Sequence, residues 1–367
     1  LQFAAEHRLR CLRVVPFGIN SLPQVTSLGW LRELYIETEL GGDPFDPADL
    51  QELVLPPRLE TLELKYLGFL ALPPLPDATL KRLVWCERRF GTHMVHRTGP
   101  LPKSLLHLAC ILGSPLELLD LPPLLQHLTL DLSTPHTGVL PALPATLRHL
   151  SARGCNLTRL PEYLPLPLTH LDCSFNQLTA LPALPNTLEL LDCTYNPSMT
   201  APLPDLPDSL LHLCCESNGL TALPALPAKL KQLKCSGNRL ELLPALPARL
   251  TSLECCGNKL ASLPPLPVTL EKLTCSSNNL ATLPAPLPRT LKVLACREQQ
   301  PGMEELPALH DTALETLYCL DNGLRTLPDL PASLLVLYCT GNNITSMPAL
   351  PGRLQDLRCD GGLLDGV

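Results

Sequence analysis

The sequence repeats itself with a period of about twenty residues, and that repetition restricts the chain to architectures built by stacking like units. LTHLDCSFNQL from Leu168, LKQLKCSGNRL from Leu230 and LEKLTCSSNNL from Leu270 all read L-x-x-L-x-C-x-x-N-x-L. Following the third apolar position gives Val14, Ile36, Leu64, Trp85, Cys110, Leu130, Ala152, Cys173, Cys193, Cys215, Cys235, Cys255, Cys275, Cys296, Cys319, Cys339 and Cys359, which makes 17 units, most of them 20 to 23 residues apart. A chain of 367 residues is long for one globular core, but stacked units extend a core indefinitely. One solenoid over 1–367 is therefore expected, irregular over 9–139 and regular over 140–367.

Each fixed position has a physical role. L-x-L or L-x-C alternates with the period of a strand, so its apolar residues point into the solenoid and its x residues point to the other face. Adjacent units then pair as one curved parallel β-sheet lining a concave face. Asn176, Asn196, Asn218, Asn238, Asn258, Asn278, Asn322 and Asn342 share one position, where a buried amide can satisfy backbone groups of the neighbouring turn. Cys155 takes that position in its own unit, as the leucine-rich repeat pattern permits.

Between strands the chain carries LPALPAKL from Leu223, LPALPARL from Leu243, LPPLPVTL from Leu263 and LPDLPASL from Leu327. Proline fixes φ and lacks an N–H, so these arcs suit polyproline II rather than helix. The spacing predicts a right-handed, β-rich solenoid with an extended convex side and essentially no α-helix in the repeats.

The LPxLPxxLxxLxxxxNxL pattern resembles the LPX-type leucine-rich repeats of bacterial type III secreted effectors, the YopM-like and IpaH-like group. The match runs clearly from about Leu140 to Leu357 and more loosely from Leu9, so it covers most of the chain. The resemblance implies partner recognition by the repeats. In the IpaH-like ubiquitin ligases it implies catalysis by a separate C-terminal domain, which is not visible in this sequence. Cysteine at the third core position is a departure from that pattern. The ligases' catalytic C-x-D motif is matched in letters by Cys319-Leu320-Asp321, but Cys319 belongs to the inward ladder, where a thiol is a small inert hydrophobe. No catalytic residue is assigned, and no cofactor.

The formal charge of −7 is spread along the chain without a basic stripe, which argues against nucleic acid and anionic membrane as partners. Ladder thiols about 5 Å apart at Cα would be prone to mispairing under oxidation, so a reducing compartment is expected: bacterial cytoplasm before secretion and host cytosol after it, if the effector resemblance holds. Zinc readings fail because no C-x-x-C occurs and the pairs Cys214-Cys215 and Cys255-Cys256 point to opposite faces. The first ten residues, LQFAAEHRLR, lack an initiator methionine and a signal-peptide pattern, and DGGLLDGV stops within what reads as a repeat. The chain is thus expected to be a piece of a longer protein.

Three longer units break the rhythm. GGDPFDPADL and REQQPGMEEL read as surface loops, as does CERRFGTHMVHRTG, whose His93 and His96 are flanked by Gly91 and Gly99 and so read as loop rather than metal-binding helix. His107, His127, His149, His170 and His212 all precede the second leucine of their units and line up on one face, with Leu190 filling the gap. Inheritance through repeat duplication, an acidic-ligand or pH-sensitive strip titrating between pH 7 and pH 5, and a metal site are the readings of that column. Near the C-terminal end the outward positions hold Val293, Ala295, Thr316, Tyr318, Leu320, Val336 and Tyr338, an apolar patch that Arg297 and Arg358 would rim. A protein-binding scaffold using Tyr318, Tyr338, Leu320, Val293, Val336, Arg297 and Arg358 is the expected function. The substrate-recognition part of an E3 ubiquitin ligase and a structural or assembly component are the alternatives.

Overall fold

The computed structural model of the chain describes residues 9–14, 28–37, 54–65, 72–86, 100–112, 120–132 and 138–361. Among them are seventeen β-strands and no helix, so the expected parallel β-solenoid is what these residues form. The GGDPFDPADL segment and His93 and His96 lie outside the described residues.

The chain divides into two compact units, Leu1–Leu178 and Thr179–Val367. In the first, β1 (Cys11–Val14), β2 (Glu33–Glu37), β3 (Thr61–Lys65), β4 (Arg82–Cys86), β5 (His107–Leu112), β6 (His127–Leu132), β7 (His149–Arg153) and β8 (His170–Asp172) pair in chain order, every pair parallel. In the second, β9 (Leu190–Asp192), β10 (His212–Cys214), β11 (Gln232–Lys234), β12 (Ser252–Glu254), β13 (Lys272–Thr274), β14 (Val293–Ala295), β15 (Thr316–Tyr318), β16 (Val336–Tyr338) and β17 (Asp356–Arg358) do the same. The strands from β8 to β13 carry the alternation read from the sequence, as where Leu233 and Cys235 are fully buried and Gln232 and Lys234 on the other face are half-buried, whereas in β4 Val84 is buried as well as Leu83 and Trp85.

Strands of the first unit up to β7 have four to six residues and the later ones three. The asparagine position accounts for the difference. Asn176 Nδ2 donates to Ala152 O of the preceding turn at 2.8 Å and to Cys173 O and Ser174 O of its own at 3.0 Å, while its Oδ1 accepts from Leu157 N at 2.9 Å. The amide draws the backbone just after the cysteine into a turn, which ends the strand. The same geometry recurs at Asn238, Asn258 and Asn278. One residue before the asparagine the backbone enters the left-handed region, at Phe175, Tyr195, Ser217, Ser277 and Asp321 as well as at Gly237, Gly257 and Gly341.

The REQQPGMEEL segment is exposed at Arg297, Glu298, Gln300, Pro301, Gly302, Glu304 and Glu305, as a surface loop would be, but it is anchored in the core by side chains the sequence reading did not single out: Gln299 is 3% exposed and Met303 fully buried. Gln299 stands in the asparagine position: Nε2 donates to Cys275 O at 2.9 Å and Oε1 accepts from Leu280 N at 3.0 Å. Its longer side chain performs the same function. At the position occupied by Cys155, the thiol reaches Leu130 O and Arg153 O, each at 3.5 Å.

Between strands, the second proline of each L-P-x-L-P-x-x-L segment opens a turn whose carbonyl accepts from the leucine three residues on, as in Leu250 N to Pro247 O and Leu270 N to Pro267 O, both 3.0 Å. Where a serine or threonine stands just before that leucine it ties neighbouring turns together: Thr269 Oγ1 donates to Leu250 O at 2.8 Å and Thr290 Oγ1 to Leu270 O at 2.7 Å. These bonds run from such a turn to the one before it, parallel to the ladders of the sheet and of the buried amides; Lys229 and Arg249 hold the position in other turns. Repetition of these bonds satisfies backbone carbonyls that a helix-free arc would otherwise leave open.

Candidate functional site

The outward x residues of the strands form columns, because parallel in-register pairing places each one beside its counterpart about 4.8 Å away. In the first unit one column runs Arg82, His107, His127, His149, His170 across β4 to β8. The imidazoles stack. Ring centroids lie 4.1 Å apart for His107 and His127, 4.2 Å for His127 and His149, and 4.3 Å for His149 and His170, with interplanar angles of 17°, 12° and 24°. The alignment expected from spacing is thus present in the first unit. His212 stands on β10 in the second unit, in register with Leu190 and Gln232.

Burial lowers the pKa of His107, helped by Arg82, and holds His127 at about 4, where His107, His149, Arg82 and His170 add to the effect. The titration window between pH 7 and pH 5 expected from a free imidazole therefore does not apply to His127: a proton there would be both desolvated and surrounded by like charge. The metal reading fares no better. Parallel rings direct their nitrogen lone pairs side by side rather than toward one point, and among the described residues no group of three or more His, Cys, Asp or Glu side chains could hold a metal ion.

In the second unit the outward columns change character along the chain. Lys234 and Lys272 flank Glu254 on β11 to β13, at 3.8 Å and 2.8 Å, making a polar section. Beyond it, Ala295, Tyr318, Tyr338 and Arg358 follow one another in register, with Val293, Thr316 and Val336 in the adjacent column. The tyrosine rings lie 5.0 Å apart, tilted by 51°, and the Arg358 guanidinium stacks 4.3 Å over the Tyr338 ring. The Tyr338 hydroxyl hydrogen-bonds Asp356, which holds its pKa above the ordinary phenol value.

These residues are less exposed than an open apolar patch would be. Val293, Thr316, Tyr318, Leu320, Val336 and Tyr338 are half-buried and Ala295 is buried, because each side chain shields its neighbour one strand away. Arg297 is exposed and stands in the column of Leu320, but Arg358 continues the tyrosine stack and does not rim it. The most exposed large apolar side chains are elsewhere, in the proline segments: Tyr163 and Leu166 at 81%, Val268 at 78% and Leu242 at 69%.

The ladder cysteines are packing. Cys215, Cys255, Cys275 and Cys319 are buried, and burial first, with neighbouring thiols second, raises their pKa well above the ordinary value. Cys319 donates to Tyr338 O at 3.6 Å and is not placed as a nucleophile, whatever its C-x-D spacing. Cys214 and Cys256 are half-buried on the outward face, and burial with the Asp192 carboxylate pushes Cys214 up to about 11. No helix among the described residues is long and apolar enough to cross a membrane.

No protein-family model matches the sequence, and no curated protein does. Solved structures do match. YopM from Yersinia pestis, a leucine-rich effector protein, is 31% identical with a TM-score of 0.68, over 82% of this chain and 82% of that one. YopM from Yersinia enterocolitica WA-314 is 27% identical with a TM-score of 0.57, over 98% of this chain and 93% of that one. The functional domain of InlJ from Listeria monocytogenes, which includes a cysteine ladder, shares the fold at 23% identity and a TM-score of 0.66, over 82% of this chain and 67% of that one.

Proposed function

Because this chain belongs to the YopM-like family of bacterial leucine-rich repeat proteins, we propose that it is a non-catalytic scaffold that binds a host protein through the outward face of its sheet. The observation that carries the reading is the row Tyr318, Tyr338, Arg358 on β15 to β17. Large flat side chains fixed on a rigid sheet lose little entropy on binding, and tyrosine and arginine dominate the residues whose truncation costs an interface most. Half-burial by neighbours is part of that pre-organisation: the rings hold their places before a partner arrives. Leu320, Val293 and Val336 extend the apolar surface, and Arg297 supplies an exposed charge beside it. Ladder thiols on adjacent strands would be prone to mispairing under oxidation, which supports a reducing compartment such as host cytosol after secretion.

The test begins with a partner recovered from host cytosol and confirmed as a direct binder of the purified chain. Replacing Tyr318 and Tyr338 by alanine should then weaken its affinity by about 2 kcal/mol or more, roughly thirtyfold, without loss of fold. A confirmed partner that binds the double variant as tightly as the unaltered chain would remove the tyrosine row from the interface.

A further inference from the structure

The ladder of buried amides contains two dipeptides that are chemically unlike the rest. Of Asn176, Asn196, Asn218, Asn238, Asn258, Asn278, Asn322 and Asn342, Asn218 and Asn322 alone are followed by glycine. Both come after a lengthened turn. In an ordinary turn a leucine stands two residues after the asparagine and points inward. Its carbonyl accepts from the residue that follows the next asparagine: Arg239 N to Leu220 O, Lys259 N to Leu240 O and Asn279 N to Leu260 O, all 2.9 Å. Before Asn218 and Asn322 this spacing is stretched, with Leu203 seven residues after Asn196 and Leu306 seven after Gln299, where Leu223 comes five after Asn218. The inward residues there are Met199 and Met303, both fully buried, which accept from Gly219 N at 3.2 Å and Gly323 N at 3.1 Å. The extra residues crowd the turn that follows. A Cβ on Gly219 would stand 3.1 Å from Met199 O, so close approach requires glycine there, whereas one on Gly323 would meet nothing nearer than Met303 O at 3.7 Å.

Glycine changes what the neighbouring amide can do. A side chain on the following residue hinders approach of its backbone nitrogen to the asparagine Cγ, and glycine has none. The nitrogen loses its proton and bonds to Cγ, the Cγ–Nδ2 bond breaks, and ammonia leaves with the amide nitrogen and that proton. Water then opens the five-membered imide at one or the other carbonyl, giving aspartate or isoaspartate. The closed ladder holds both reacting groups. Asn218 Nδ2 donates to Cys215 O at 3.0 Å and Cys193 O at 3.2 Å, while its Oδ1 accepts from Asn196 N at 2.6 Å. Asn322 Nδ2 donates to Cys296 O at 3.0 Å and Cys319 O at 3.1 Å, while its Oδ1 accepts from Gln299 N at 3.1 Å. Attack needs these bonds and the glycine's bond to the methionine carbonyl to part together, so it waits on opening of the turn.

We propose that Asn218 and Asn322 are sites of spontaneous covalent modification, each converting to aspartate or isoaspartate when its turn opens. Reclosure does not reverse the change. A carboxylate has no N–H for the two carbonyls that Nδ2 served, and it sets a negative charge against both of them. Isoaspartate also adds a methylene to the main chain, which shifts the backbone against the turns on either side. Asn322 is half-buried and Asn218 buried, so Asn322 converts first. Asn238, Asn258 and Asn278, followed by Arg239, Lys259 and Asn279, persist.

The experiment holds the full chain in mildly alkaline buffer, native and in guanidinium chloride, and follows each asparagine by peptide mapping that resolves amide, aspartate and isoaspartate. Expected is conversion at Asn322 and then at Asn218 in the native chain, at least about tenfold slower than in the unfolded chain, with Asn238, Asn258 and Asn278 intact. Gly323→Ala, where the added Cβ fits, should suppress conversion at Asn322 and leave that at Asn218. The proposal is overturned by acid at Asn238, Asn258 or Asn278 as early as at Asn322, by equal rates in the native and unfolded chain, or by undiminished conversion at Asn322 in Gly323→Ala. Both amides intact in the native chain after about a hundred half-lives of the unfolded one would overturn it as well. If Gly323→Ala misfolds, comparison of the sites within the unaltered chain decides. Asn322→Asp, which supplies one product directly, should lower the unfolding midpoint of the second unit in guanidinium chloride, and an unchanged midpoint overturns the claim that modification weakens the ladder.

Discussion

Replacing Asn258 by alanine tests the physical account of the fold at its most repeated position. Asn258 is 8% exposed; its Nδ2 donates to Cys235 O at 3.0 Å and Cys255 O at 3.1 Å, and its Oδ1 accepts from Leu240 N at 3.1 Å. The two carbonyls keep a second donor each, Asn238 Nδ2 at 3.0 Å and Asn278 Nδ2 at 3.0 Å, so alanine orphans neither of them. Leu240 N–H loses its partner outright. One orphaned buried donor costs about 1–3 kcal/mol, and the lost bonds to shared carbonyls add about 1 kcal/mol, for a total of about 2–4 kcal/mol. Because repeat arrays unfold in parts, the assay is native-state hydrogen exchange read at the Leu240 amide, where this cost corresponds to roughly thirtyfold to a thousandfold faster exchange. Asn258→Gln should cost less, since Gln299 performs the same bonding in its own turn. Exchange at Leu240 unchanged in the alanine variant would refute the claim that the amide ladder holds the turns together.

Acid should destabilise the first unit before it protonates most carboxylates. His127 is held at about 4 in the fold against an ordinary 6.5, so as pH falls the unfolded chain takes the proton first and stability declines between those values, with no contribution above them. Since the ring is only half-buried, solvent screening leaves an effect on the order of 1 kcal/mol, and a urea-unfolding series against pH should flatten in His127→Gln. A thiol reagent on the native chain should label Cys11, Cys256 and Cys359, label Cys214 more slowly because its thiol is pushed up to about 11, and reach Cys215, Cys255, Cys275 and Cys319 only after unfolding, as peptide mapping would show. Gly257 has φ +62° and space for a Cβ, whose nearest contact would be Gly237 N at 3.6 Å, so Gly257→Ala should cost about 1–2 kcal/mol in chemical unfolding through backbone strain.

Much of this was legible in the residues because a repeat states its rule many times. The alternation in LKQLKC predicts the inward Leu233 and Cys235, and the recurrent asparagine predicts a buried, fully engaged amide; both are present. The failures have physical causes. Gln299 was hidden because a glutamine one methylene longer can serve where asparagine is the rule, and REQQ breaks the pattern by eye while keeping its geometry. The left-handed residue before each asparagine had a signal in Gly237, Gly257 and Gly341, but Phe175 and Tyr195 at the same position concealed it. For the candidate sites, spacing placed histidines and tyrosines on the outward face and in columns. It could not show that Ala295 is covered, that Arg358 stacks on Tyr338, or that Nδ1 of His127 turns inward, because those depend on side-chain packing between strands.

Side-chain footprinting of the chain with its confirmed partner shows whether that partner sits on the outward face of the sheet. Two sets of apolar residues compete: the half-buried row of Tyr318, Tyr338, Leu320 and Val336, and the more exposed Tyr163, Leu166, Leu242 and Val268 of the proline segments. If exposure alone set the interface, the second set would be protected. Binding at the outward face should protect the tyrosine row from hydroxyl-radical modification and leave Tyr163, Leu166, Leu242 and Val268 as reactive as before. Protection of the proline-segment residues, with the tyrosine row unchanged, would contradict it.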